Sequence, residues 1–168
     1  MKKILVVDDQ KDILEMMKLV LEKTGEYSVL VTANPLEVEA LCRAHKPDLM
    51  ILDLVMPEME GTQLIKILNR NPKTAAMKII VTSGLGEISY SKKTGRWEWQ
   101  PNNPLVEYRG KDIVKERSAE RAAELYGVDD YIAKPFSPET LLDVLKDVLG
   151  RARRVRGDPE DQSDIVFD

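Results

Sequence analysis

Four short apolar runs, each ending in a polar side chain, constrain this sequence more than any other feature. Ile4-Leu5-Val6-Val7 leads into Asp8 and Asp9, and Leu49-Met50-Ile51-Leu52 leads into Asp53. Lys78-Ile79-Ile80-Val81 leads into Thr82-Ser83, and Tyr131-Ile132-Ala133 into Lys134. Apolar runs this short, with no polar alternation, are the pattern of strands covered on both faces, as in a parallel sheet. With the strands parallel in one sheet, the polar tips emerge together at its carboxyl edge, where open α/β folds bind their ligands. Three carboxylates, a hydroxyl and an ammonium gathered there suit a divalent cation and a phosphoryl group.

The segments between these runs carry helical periodicity. Ile13, Met17, Val20 and Leu21 form one apolar stripe, which Gly25 stops; Asp9 is a candidate cap for that helix. Tyr27 to Val31 reads as a strand, and Pro35 fits a helical first turn before Leu36, Ala40, Leu41 and Ala44. Gly61 precedes a helix through Leu64, Ile65, Ile67 and Leu68. Near the C-terminus Ser137 caps a helix with Pro138 in its first turn and Leu141, Leu142, Leu145, Val148 and Leu149 as its buried stripe. The expected fold is a doubly wound α/β domain with a five-stranded parallel sheet in the order 2-1-3-4-5, flavodoxin-like.

One interval breaks the rhythm. A loop and a covering helix need about 20 residues, yet Lys134 follows Thr82 only after a much longer stretch. Within it Ile88 and Tyr90 alternate with serines, Lys92-Lys93-Thr94-Gly95 carries turn chemistry, and Trp97 and Trp99 alternate with charged residues. This predicts an inserted β-hairpin after the fourth strand, within an insertion of about residues 86–112, and then a helix from Lys111 to Tyr126 ending at Gly127. The two tryptophans would either pack over the sheet edge or form a partner surface.

Residues 1–150 are thus read as one domain and 151–168 as a charged tail, in which Arg151, Arg153, Arg154 and Arg156 precede an acidic stretch. The net charge of −4 gives no general attraction to nucleic acid, and the arginine cluster is offset by the acids beside it. No apolar stretch reaches the length of a membrane helix, and the start of the chain lacks a signal-peptide core, so a cytoplasmic location is expected. Cys42 is the one cysteine, which excludes an intramolecular disulfide and suits a small core residue. His45, the one histidine, argues against a histidine-rich metal site.

The motifs together resemble a response-regulator receiver domain. Val6-Val7-Asp8-Asp9, Leu52-Asp53-Leu54-Val55-Met56-Pro57 with Gly61, Val81-Thr82-Ser83 and Lys134-Pro135-Phe136 occur in the order that family requires, across residues 1–150. On chemical grounds, Asp8 or Asp9 together with Asp53 supplies an oxygen nest for Mg²⁺, with Mn²⁺ as a substitute. The resemblance implies that Asp9 and Asp53 ligate the ion directly, that Asp8 acts through water, and that the Val55 backbone carbonyl is a further ligand. It also implies Asp53 as the phosphorylated nucleophile, Lys134 and Thr82 as phosphoryl-binding groups, Thr82 and Tyr131 as the switch pair, and a cis bond before Pro135.

The implied function is a signalling switch that takes a phosphoryl group from a histidine kinase or phosphotransfer protein, assists its own phosphorylation and dephosphorylation, and signals by contact with a downstream protein. The implied output face spans the fourth helix, fifth strand and fifth helix, about Lys111 to Gly150. A stand-alone receiver is expected because 18 residues after Gly150 leave no room for an effector domain. The alternatives are a receiver fragment of a longer regulator and a Mg²⁺-dependent phosphohydrolase with an Asp nucleophile. Such hydrolases carry a second Asp two residues on, where this chain has Val55. Homodimerisation is left open.

Overall fold

The computed structural model describes residues 1–54, 56, 58–59, 61–83, 87–91, 96–100, 107–109, 112–114 and 127–152 of the 168. A five-stranded parallel sheet forms from β1 (Lys2–Val7), β2 (Tyr27–Thr32), β3 (Leu49–Asp53), β4 (Lys78–Ser83) and β9 (Asp130–Ala133). Its order is β2-β1-β3-β4-β9, the expected 2-1-3-4-5 arrangement. The strand order reverses between β1 and β3. That is the switch point where such sheets open a crevice at their carboxyl ends.

Strand alternation divides the core. Leu5, Val7, Met50, Leu52, Ile79, Val81 and Tyr131 pack on one face with Val38 and Cys42 of α2 (Val38–His45) and Leu64, Ile65 and Leu68 of α3 (Gly61–Arg70). Ile4, Val6, Leu49, Ile51, Ile80 and Ile132 pack on the other with Leu14, Met17 and Leu21 of α1 (Lys11–Glu22) and Leu141, Val144, Leu145 and Val148 of α4 (Pro138–Gly150). Each fully buried aliphatic side chain contributes about 1.5–3 kcal/mol. Because the side-chain period in a strand is two, a slip of one residue would exchange the two faces, and two apolar faces of different helix partners hold the register.

Local signals end the helices as their residues demand. Ser137 Oγ accepts from the Thr140 N–H at 3.1 Å with Pro138 in the first turn of α4. Asn34 caps a 3-10 turn at Pro35–Glu37 that leads into α2. Gly25, at φ +73°, takes the left-handed conformation after α1. The capping role expected of Asp9 falls elsewhere. Gln10 is the N-cap of α1 without a side-chain bond, and the Gln10 N–H donates to Asp8 Oδ1 at 2.9 Å.

Between β4 and β9 two antiparallel ribbons appear. The first pairs β5 (Glu87–Ser91) with β6 (Arg96–Gln100) and is the expected hairpin; the second pairs β7 (Glu107–Arg109) with β8 (Asp112–Val114). The second ribbon corrects the start of the helix expected from Lys111: residues 112–114 are extended and paired. Ile113-Val114, two adjacent β-branched side chains, favour a strand over a helical turn. The rest of that expected helix, 115–126, and the tail from 153 onward lie outside the described residues.

Candidate phosphoryl-acceptor site

Three strand ends build the rim. Asp8 directly follows β1, Asp53 closes β3, and Lys134 directly follows β9. β3 and β4 bring Asp53 and Thr82 together as register partners, and the Leu54 N–H extends that ladder by donating to the Thr82 carbonyl at 3.0 Å. Thr82 lies within β4, which runs two residues past the apolar run that announces it. The Lys134–Pro135 bond is cis, as the resemblance implied.

Electrostatics dominate the rim. Lys134 Nζ lies 2.7 Å from Asp8 Oδ2 and 3.3 Å from Asp53 Oδ2, while the Asp8 and Asp53 side chains are only 1% and 5% exposed. Asp9 is exposed, yet it brings a carboxylate oxygen into the same cluster. One oxygen from each of Asp8, Asp9 and Asp53 lies within 4.8 Å of the others. Among the described residues three carboxylates therefore share the rim with one ammonium, an excess of negative charge in a partly dry setting. Charges held in such a setting interact strongly and are costly to leave uncompensated.

Thr82 adds the second telling feature. Its side chain is fully buried and its Oγ1 has no hydrogen-bond partner among the described residues. A buried hydroxyl left in that state loses its bonds to water and gains none in return. An oxyanion arriving at the neighbouring Asp53 would supply the acceptor.

The close approach of α3 depends on Gly61. A β-carbon there would lie 2.7 Å from both the Asp53 carbonyl oxygen and the Leu54 Cα, and the Gly61 N–H donates to the Leu54 carbonyl at 2.9 Å. Only a residue without a side chain lets the helix start seat against the backbone that carries Asp53. Sequence reasoning quoted Gly61 as part of a motif and missed this role; its spacing of eight residues after Asp53, at a helix start, was the available signal.

The remaining expected site residues divide. Tyr131 is buried in the α2–α3 face and is the register partner of Val81, next in sequence to Thr82. Val55 falls outside the described residues. Trp97 and Trp99 lie in β6, paired with Tyr90 and Ile88 respectively.

The sequence profile of the response regulator receiver domain matches residues 4–96. The chain belongs to the response-regulator receiver family. It is 33% identical over 150 residues to the phosphate regulon transcriptional regulatory protein PhoB of Pseudomonas aeruginosa, covering 89% of this chain and 52% of PhoB. It is 27% identical to protein PilH of the same organism, covering 89% of this chain and 98% of PilH. Among solved structures, a CheY-like response regulator receiver domain protein from Methanospirillum hungatei superposes with a TM-score of 0.61 at 27% identity, covering 89% of this chain and 94% of that one. The chain spans about half the length of several curated relatives it matches, PhoB among them. As a receiver domain it is a phosphorylation-activated switch of two-component signalling, a phospho-acceptor and not a conventional enzyme.

Receiver domains bind Mg²⁺ at an acidic pocket, and the donor set here fits that ion. Octahedral ligation at about 2.1 Å puts ligand oxygens at most about 4 Å apart. A cluster within 4.8 Å is close to that spacing, and small side-chain adjustments or a bridging water would complete it. Among the described residues no helix is long and apolar enough to cross a membrane.

Proposed function

We propose that Asp53 is the phosphoryl acceptor of this receiver and that Asp8, Asp9 and Asp53 hold its Mg²⁺. The observation that supports this most directly is a cluster of three carboxylates, two of them in contact with Lys134, beside a buried Thr82 hydroxyl without a partner among the described residues. An Asp53 carboxylate oxygen attacks phosphorus in a phosphohistidine or small acyl-phosphate donor; the new O–P bond forms as the donor's N–P or O–P bond breaks, and an imidazole leaving group takes up a proton while a carboxylate leaves as its anion. When bound, Mg²⁺ supplies neutralisation of charge on the transferring group.

The chain's own residues do the positioning. Lys134 already contacts Asp53 and, after transfer, pairs with a phosphoryl oxygen. Thr82 donates its hydroxyl to another. By the same groups the domain assists both its own phosphorylation and its dephosphorylation, and the Val55 carbonyl completes the ligand set. The covalent phosphate adds about −1.5 to −2 charge and favours the arrangement in which Thr82 and the Tyr131 ring have moved toward it.

The reading places the protein in the cytoplasm, between a histidine kinase or phosphotransfer protein and a downstream protein contacted through the face around β9 and α4. Residues 1–150 form the receiver and 151–168 a charged extension.

The test is incubation with acetyl phosphate and Mg²⁺, followed by intact mass and site mapping. One stoichiometric adduct on Asp53, absent in Asp53→Asn, is expected. An adduct that persists in Asp53→Asn contradicts the assignment, and sustained turnover of a phosphomonoester would favour a phosphohydrolase.

A further inference from the structure

β2 is an edge strand: among the described residues it pairs with β1 alone. The Lys2 N–H donates to the Glu26 carbonyl at 3.1 Å and the Asp8 N–H to the Thr32 carbonyl at 3.3 Å. Successive residues of a strand point their backbone groups alternately toward and away from a partner strand. With Glu26 and Thr32 facing β1, the backbone groups of Tyr27, Val29 and Val31 face outward. An outward row of this kind is a template for a further strand.

The composition of β2 suits that use. Tyr-Ser-Val-Leu-Val-Thr carries no charge and no proline and is rich in β-branched residues, the mark of segments that pair with copies of themselves. Val31 is also one of the exposed large apolar side chains. Val29 lies at the centre of the outward row. Two copies of β2 related by a twofold axis can therefore pair antiparallel, Val29 against Val29 and Tyr27 against Val31, each outward N–H meeting an outward carbonyl.

One side chain stands in the way. Lys18 of α1 reaches over the edge, and its Nζ donates to the Val29 carbonyl at 3.0 Å and to Glu22 Oε1 at 2.7 Å. The ammonium takes the central acceptor of the row, and a second strand would have to displace it or bury it. Burying a charge away from water is costly even when it is paired. Glu22, four residues on in the helix, holds the ammonium over the edge.

We propose that Lys18 is an edge guard: it keeps β2 from pairing with β2 of a second copy and leaves self-association to other faces of the domain. This role is independent of the chemistry at Asp53.

Sedimentation velocity of the full chain over a range of concentrations tests the guard. Lys18→Met keeps the apolar stem and removes the donor. It should self-associate on the order of tenfold more tightly than wild type, since a central carbonyl is freed on each copy. Lys18→Ala should do the same, and Lys18→Arg, which retains a cationic donor, should stay at the wild-type level. Val31→Pro is the control for the surface itself: the Val31 N–H faces outward, so proline spares the ladder to β1 and blocks a new one. Added to Lys18→Met it should restore wild-type sedimentation, and alone it should change nothing.

Wild-type sedimentation of both Lys18→Met and Lys18→Ala, each with unaltered far-ultraviolet circular dichroism, overturns the proposal. Association in Lys18→Met that survives Val31→Pro moves the contact to another face and overturns it equally. A wild-type chain whose own self-association is abolished by Val31→Pro has an open edge despite Lys18, and the guard is then rejected.

Discussion

Lys134 Nζ sits 2.7 Å from Asp8 Oδ2, and this contact joins two strand ends that lie 126 residues apart in the chain. The Asp8 side chain is almost wholly buried, so the ammonium is its principal compensation in the metal-free protein. Lys134→Met should destabilise the Mg²⁺-free protein by about 3 kcal/mol, the order seen when a buried pair loses one partner. Mg²⁺ would restore part of the loss by replacing the missing positive charge. Urea unfolding with and without Mg²⁺ checks both statements, and equal destabilisation in the two conditions would contradict the second.

Thr82→Val should behave oppositely. The substitution keeps the branched shape and removes a buried hydroxyl that finds no partner among the described residues. The unphosphorylated protein should gain about 1 kcal/mol, because an unsatisfied polar group costs more than its apolar replacement. Under acetyl phosphate the variant should lose that advantage relative to wild type. A clear loss of stability without phosphate would mean that the hydroxyl has a partner.

Gly61→Ala separates helix propensity from close approach. Propensity alone predicts a gain of up to about 1 kcal/mol in a helix. The 2.7 Å contacts with the Asp53 carbonyl oxygen and Leu54 Cα predict a loss of about 1–3 kcal/mol, because both neighbours are backbone and neither can swing away. Weaker Mg²⁺ binding should accompany the loss, since Asp53 is displaced. The sign of the stability change decides between the two.

Cys42 should be inert. Burial, with the nearby Glu39 charge adding to it, pushes its thiol up to about 11, so at neutral pH it carries its proton and offers no thiolate. A maleimide or disulfide reagent should modify it at the rate of unfolding, not at the rate of an exposed thiol. The linked effect on stability has one sign. The unfolded chain ionises this thiol from about 9 upward while the folded protein holds the proton, so the contribution is complete below that pH. It is lost as pH rises toward 11.

Much of this arrangement was legible from residues alone. The apolar runs before Asp8, Asp53, Thr82 and Lys134 announced the strands because a strand buried on both faces cannot hide its composition. Their ends announced the rim because a parallel sheet delivers all its carboxyl ends to one side. What escaped was set by distance and by shortness. The contact between Gly61 and the Asp53 backbone is a through-space fact that no periodicity carries. The second ribbon consists of three-residue strands, too brief to show a period of two, and Lys111 looked like a helix start because the charged residues after it favour helices. The cap of α1 escaped for another reason: Asp8 and Asp9 offered two carboxylates to one helix, and the one bound to Lys134 took the Gln10 N–H.

At the far side of the domain, Lys78 opens β4 and is largely buried. Its Nζ donates to the Val148 carbonyl at 2.6 Å and the Leu149 carbonyl at 3.3 Å, and also to the carbonyl of Arg151. Arg151 in turn donates to the Asp129 carbonyl at 2.9 Å and pairs with Asp130 and Asp147. One strand is thereby moored at its amino end to the base of the tail and meets Asp53 through Thr82 at its other end. Arg151 thus lies at the pole opposite the acidic rim. A change at the acidic rim would have to travel the length of β4 to be felt there.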